Sequence, residues 1–175
     1  MICIEYEGEV YYLMANKFVD STYIAVEKNK GIALAKIYFD SVDMSKFNRD
    51  EFLDNVRLAK ELESYSYAKK ACEYGINKFY NDVPLIRSCL PIYTSVCRSL
   101  NQPQQAIDFA REYIHNNRYV SEGLLTSVAA AYCDMEDYTK AKKYADWAYA
   151  IQHGSVGFNE LSLVYKRIEK RLKGI

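Results

Sequence analysis

The sequence predicts a mainly α fold: a right-handed solenoid of helical hairpins, preceded by a small antiparallel β meander and closed by a capping helix. Three observations carry this expectation. Small residues, mostly alanine, recur at helical spacing in three separate segments. Each segment follows a second apolar helical stripe across a short polar turn. With 7 Gly and 3 Pro in 175 residues, little of the chain is left for linkers or low-complexity tracts. The expected organisation is an N-terminal cap over residues 1–45 and a helical repeat domain over 46–175.

Residues 1–28 read as strand. ICIEYEGEVYYL mixes β-branched and aromatic residues around Glu7–Gly8, a plausible hairpin turn, and FVDSTYIAV follows after Asn16–Lys17. Two or three strands are expected, and such a sheet needs helices to lie against. Gly31 to Val42 reads as a helix joining the meander to the first repeat, with Ile32, Ala35, Ile37, Tyr38 and Phe39 giving it apolar character.

The repeat is clearest in the segment from Ser127 to Tyr149. Leu125, Val128, Ala129 and Tyr132 form one stripe, Asp134 to Asp137 a turn, and Ala141, Tyr144, Ala145, Ala148 and Tyr149 a second stripe. Two helices joined so tightly must lie antiparallel, with alanines where the backbones approach. YTKAKKYADWAYAI aligns with PQQAIDFAREYI and with YSYAKKACEYGINKF. Ala141 then matches Ala106 and Ala68, which lie 35 and 38 residues apart in turn. Further helical segments are expected at about 48–63, 84–100 and 120–135, one before each copy. The longer interval places extra residues near Asn81–Val83. Pro84 can open a helix there, whereas Pro91 either bends that helix or marks a later start.

Residues 158–173 read as the capping helix, with a stripe of Leu161, Val164, Tyr165, Ile168 and Leu172 and Asn159 as candidate N-cap. Lys166, Arg167, Lys170, Arg171 and Lys173 crowd the other side. They read as a solvated face, or alternatively as a basic docking patch.

Helical hairpins of this length resemble the tetratricopeptide repeat, a unit of about 34 residues. The resemblance covers roughly residues 48 to 152 and rests on Leu125, Val128, Ala129, Tyr132, Ala141, Ala145 and Ala148 in the third unit. The family's first-helix Trp is Leu125 here, its Leu–Gly pair is Val128–Ala129, and its closing Pro is absent. In the second unit Cys97 stands where a Tyr is usual. The resemblance implies a concave groove lined by the first helix of each hairpin, suited to an extended peptide or a partner helix. Its groove positions would be Asp54, Arg57 and Lys60 in the first unit, Ser95 and Arg98 in the second, and Thr126, Ala130, Cys133 and Asp134 in the third. Some members hold a chaperone's C-terminal carboxylate with a Lys/Asn set across the groove; no such Asn set occurs at these positions, which disfavours that specific reading.

Bulk properties narrow the function. The 23 basic residues balance the 23 acidic ones, so no global field draws the chain to nucleic acid or an anionic surface. No apolar run approaches the roughly 20 residues that cross a bilayer. The start, MICIEYEGEVYYL, has acidic residues where a secretory leader needs a basic start and an apolar middle. A cytoplasmic location is expected. Cys3, Cys72, Cys89, Cys97 and Cys133 are odd in number and lack CxxC spacing, so they read as small core residues. With His115 and His153 as the whole histidine complement, no metal site is expected, and no cofactor.

No phosphate loop, dinucleotide fingerprint or nucleophile elbow occurs. Cys133 with His115 or His153 as base is the one conceivable nucleophile, on a helix where a structural thiol fits better. No enzymatic activity is expected. Of the 17 tyrosines, Tyr65, Tyr67, Tyr119 and Tyr165 are interface candidates against a background of packing roles. The sequence thus points to an adaptor or regulator that binds a protein or peptide bearing an acidic segment or a C-terminal carboxylate. Two alternatives stand beside it. One is a nucleic-acid-associated regulator using Arg57, Lys60, Arg98 and the 166–173 helix, which the neutral charge disfavours. The other is a scaffold that pairs with itself as a homo-oligomer.

Overall fold

The computed structural model describes residues 2–6, 9–13, 32–117, 119–151 and 159–174 and is mainly helical. Strands β1 (Ile2–Tyr6) and β2 (Glu9–Leu13) pair antiparallel, with Ile2 opposite Leu13 and Tyr6 opposite Glu9. The turn expected at Glu7–Gly8 and the third strand expected over 18–26 lie outside the described residues. Helix α1 covers residues 32–41. Then come α2 (Arg49–Glu61), α3 (Tyr65–Lys78), α4 (Val83–Ser99), α5 (Pro103–Asn116), α6 (Glu122–Asp134), α7 (Tyr138–Ile151) and α8 (Asn159–Leu172). No helix among the described residues is long and apolar enough to cross a membrane.

The chain divides into two compact units, Met1–Ile92 and Tyr93–Ile175. Within the first unit α1 is bound to the hairpin that follows it. Leu34, Ala35 and Phe39 are buried, and the Phe39 ring stacks on Tyr67 at 4.3 Å. Asn55, buried in the middle of α2, donates to the Tyr38 hydroxyl at 3.0 Å and accepts from the Tyr67 hydroxyl at 2.9 Å. An amide buried with one donor and one acceptor engaged fixes how α1, α2 and α3 meet, since leaving it unpaired is costly. The stripe in α1 is narrower than expected, for Ile37 is 46% exposed.

Caps set the helix bounds. The Asn48 side chain accepts from the backbone of Asp50 and Glu51, and the Glu51 carboxylate answers to the Asn48 N–H, a capping box. Asp82 accepts from the Leu85 N–H at 2.9 Å and from Arg49 Nε at 2.5 Å, tying the start of α4 to the start of α2. With that cap in place α4 begins at Val83, sets Pro84 in its first turn and continues through Pro91. The later start near Pro91 is therefore excluded.

The three turns between paired helices share one geometry. Glu63, Asn101 and Glu136 are left-handed, at φ 60, 56 and 60°. They are 38 and 35 residues apart, the intervals separating Ala68, Ala106 and Ala141. In each turn the next residue's N–H closes the helix from five residues on: Ser64 to the Ala59 carbonyl at 2.8 Å, Gln102 to Cys97 at 2.8 Å, and Asp137 to Tyr132 at 2.9 Å. This is the Schellman C-cap, usually built on glycine. The small residues that follow pack as the spacing requires, with Ala68, Ala106, Ala141, Cys72, Ala110 and Ala145 all at 0% exposure.

In the second unit α8 packs on both α6 and α7. Leu161, Val164 and Ile168 are buried as expected, but Leu172 is 61% exposed and leaves the stripe. Asn159 is the first helical residue rather than the cap.

Candidate functional site

In the first unit Asp54 and Arg57 lie on the side of α2 away from the buried Phe52, Val56 and Ala59, while Lys60 sits at its edge, between the buried Leu53 and Val56. Asp54 and Arg57 are exposed and Lys60 is half-buried.

The second unit is different. A cleft of about 580 Å³ opens beside the ends of α4 and α6, with Ser95, Arg98, Cys133, Asp134, Tyr138 and Arg167 among its walls. At its centre Asp134 receives two arginines. Arg98 donates through Nε at 2.5 Å and through Nη2 at 3.3 Å, and Arg167 of α8 donates through Nη2 at 2.9 Å. Burial alone would raise the Asp134 carboxyl pKa, but the hydrogen bonds from Arg98 and Arg167 more than offset that and hold it below the usual carboxylate range. Because the folded-state value is the depressed one, this contribution to stability is present above the ordinary carboxylate pKa. It is lost as pH falls towards the folded value.

Two of the expected groove positions are therefore corrected in role. Arg98 is not a free cation awaiting a partner's carboxylate, since Asp134 already occupies its fork. Asp134 is the hub of a pairing that ties α4, α6 and α8. The third-unit positions Thr126, Ala130 and Cys133 are 2%, 5% and 2% exposed, so they do not form an open apolar floor. The Thr126 hydroxyl donates to Glu122 at 3.2 Å. Spacing along α6 marks these residues as lying off the α7 interface; it carries no information about a helix thirty residues further on.

Lys166, Arg167, Lys170, Arg171 and Lys173 on α8 are all exposed, and some of them also meet acidic groups. Besides Arg167, Arg171 approaches Glu136 at 3.8 Å and Lys173 approaches Glu169 at 4.0 Å. The Tyr165 hydroxyl donates to Asp146 at 2.8 Å. The sequence does hold a signal for the central pair: Arg98, Asp134 and Arg167 recur 36 and 33 residues apart with alternating sign. Opposite charges at matching places on successive hairpins suit a cross-helix ion pair.

Tyr65, Tyr67, Tyr119 and Tyr165 are all half-buried. The more exposed rings are Tyr80 at 70% and Tyr149 at 63%, which neither periodicity nor composition distinguishes.

The thiols are packed away. Cys72, Cys89, Cys97 and Cys133 are buried thiols outside any disulfide. Burial pushes the Cys133 thiol pKa up, the influence of Arg167 and Arg98 notwithstanding, so it is a poor nucleophile at neutral pH. His115 Nε2 lies 3.4 Å from the Tyr144 hydroxyl, while His153 lies outside the described residues. We expect Cys72, Cys97 and Cys133 to label slowly with a maleimide in the native protein and quickly once it is unfolded. Rapid native labelling of Cys133 would contradict this. Among the described residues, no group of three or more His, Cys, Asp or Glu is placed to hold a metal ion.

No protein-family model, curated protein or solved structure matches this chain.

Proposed function

We propose that the chain is a tetratricopeptide-like solenoid that binds a protein or peptide, acting as a cytoplasmic adaptor or regulator without catalysis of its own. The observation that carries the reading is the threefold recurrence of one turn geometry at the interval of the small-residue motif. Repeated hairpins of this kind present a series of like helices to one partner. The α2 face with Asp54, Arg57 and Lys60 is the accessible part of the proposed groove, and Ser95 lies on the wall of the second unit's cleft. The charge of that face still favours a partner with an acidic segment or a C-terminal carboxylate. The nucleic-acid alternative loses support, because Arg98, Arg167 and Arg171 face acidic groups of the chain itself.

The burial pattern separates two charge reversals. Arg57→Glu with Lys60→Glu should weaken partner binding several-fold and leave the melting temperature nearly unchanged, as exposed charges add little to stability. Arg98→Glu should instead destabilise by about 1–3 kcal/mol, since it sets two carboxylates together and strips Asp134 of its bidentate donor. Titration of a captured partner and thermal melts of both variants test this. Unaltered affinity of the α2 variant would move the binding surface elsewhere.

A further inference from the structure

Helix α8 follows the third hairpin in the chain and covers part of it. It packs on α6 and α7, and the expected groove positions Thr126, Ala130 and Cys133 of α6 are buried. Its attachment is slight beside that of its neighbour. Leu161, Val164 and Ile168 are its buried apolar residues, whereas α6 buries nine residues.

The polar ties of α8 to the hairpin all run to carboxylates near solvent: Arg167 to Asp134, Arg171 to Glu136 and Tyr165 to Asp146. The Arg167 and Arg171 side chains remain 41% and 60% exposed. An apolar stripe at i, i+3 and i+7 with cations beside it, set against an apolar surface rimmed by acids, is the helix-in-groove mode of peptide recognition, here satisfied in cis.

We propose that α8 is a displaceable occupant of the α6–α7 hairpin, and that the partner replacing it is an amphipathic helix with apolar residues spaced like Leu161, Val164 and Ile168 and a cation in the place of Arg167. This rests on the reading that the first helices of the hairpins take the partner. It makes the third hairpin selective for a basic amphipathic helix, while the α2 face retains the opposite charge preference. A partner would gain access in proportion to the fraction of time α8 spends detached, so weakening the ion ties raises apparent affinity without touching the binding surface.

The test uses the full chain and a fluorescein-labelled synthetic peptide of residues 159–172. In hydrogen exchange the α8 amides should exchange faster than those of α6 and α5. Arg167→Glu with Arg171→Glu should speed α8 roughly fivefold or more, the scale of a partly exposed ion pair, with α5 unchanged. Raising the salt concentration on the unaltered protein should act in the same direction, so the result does not depend on a variant's folding. The peptide should bind the double variant more tightly than the parent, and a peptide carrying Arg167→Glu should bind less tightly than the natural one.

If α8 exchanges as slowly as α6 at every salt concentration, it is a permanent cap and the proposal fails. If α8 opens while the peptide binds neither form, the assigned partner class is wrong and the proposal fails on that arm. Neither result bears on the α2 face, which the Arg57 and Lys60 variant tests separately.

Discussion

Replacing Gly75 with alanine should lower stability by about 1–2 kcal/mol, although alanine is the better helix former by roughly 1 kcal/mol. A Cβ at Gly75 would stand 2.5 and 2.7 Å from two carbons of the Phe52 ring. That ring has nowhere to retreat. Phe52 is wholly buried, with Phe47, Tyr74 and Phe79 around it at centroid distances of 6.0, 5.9 and 5.8 Å. Overpacking in such a site costs up to about 3 kcal/mol, which outweighs the propensity gain.

The third hairpin has solved the same contact with different volumes. Leu125 stands at the place of Phe52 and Ala148 at that of Gly75, each pair 73 residues apart. In a Phe52→Leu background, Gly75→Ala should therefore become neutral or stabilising. The two substitutions should couple strongly in a double-mutant cycle read by urea denaturation. Additive effects would show that these positions do not meet.

Ala129→Leu and Ala141→Leu are the second large effect, each expected to destabilise by about 1–3 kcal/mol. Both alanines are at 0% exposure, on the paired helices α6 and α7. A leucine at either place must push the backbones apart or adopt a strained rotamer, because interiors are close-packed. Ala150→Leu on the exposed side of α7 is the control and should stay within about 0.5 kcal/mol of the parent. If all three variants melt with the parent protein, the register proposed for the hairpin is wrong.

The helices were legible because two independent signals agree on them. Periodicity places the stripes, and polar punctuation at Asp134–Asp137 places the turn of the third hairpin. The alanine motif sits in register with both. Burial within a hairpin follows directly from such local patterns.

Coverage by a distant element does not, which explains the misread positions. Ala130 and Cys133 lie off the stripe that faces α7, and α5 and α8, which also pack on α6, come from other parts of the chain. Asn55 illustrates a different limit: a polar residue inside an apolar stripe reads as an interruption until Tyr38 and Tyr67 are seen to hold it. Arg98 looked free for the same reason, as its carboxylate partner lies 36 residues away.

The central claim is that the first helix of each hairpin receives a protein partner. Its most direct test is hydrogen-exchange footprinting of the full chain with and without a partner captured from its native cell. The account predicts protection concentrated on α2 around Asp54, Arg57 and Lys60 and on α4 around Ser95, with α3 and α5 unchanged. Protection confined to α3, α5 and α7, or no partner retained above a control with Arg57→Glu and Lys60→Glu, would contradict it.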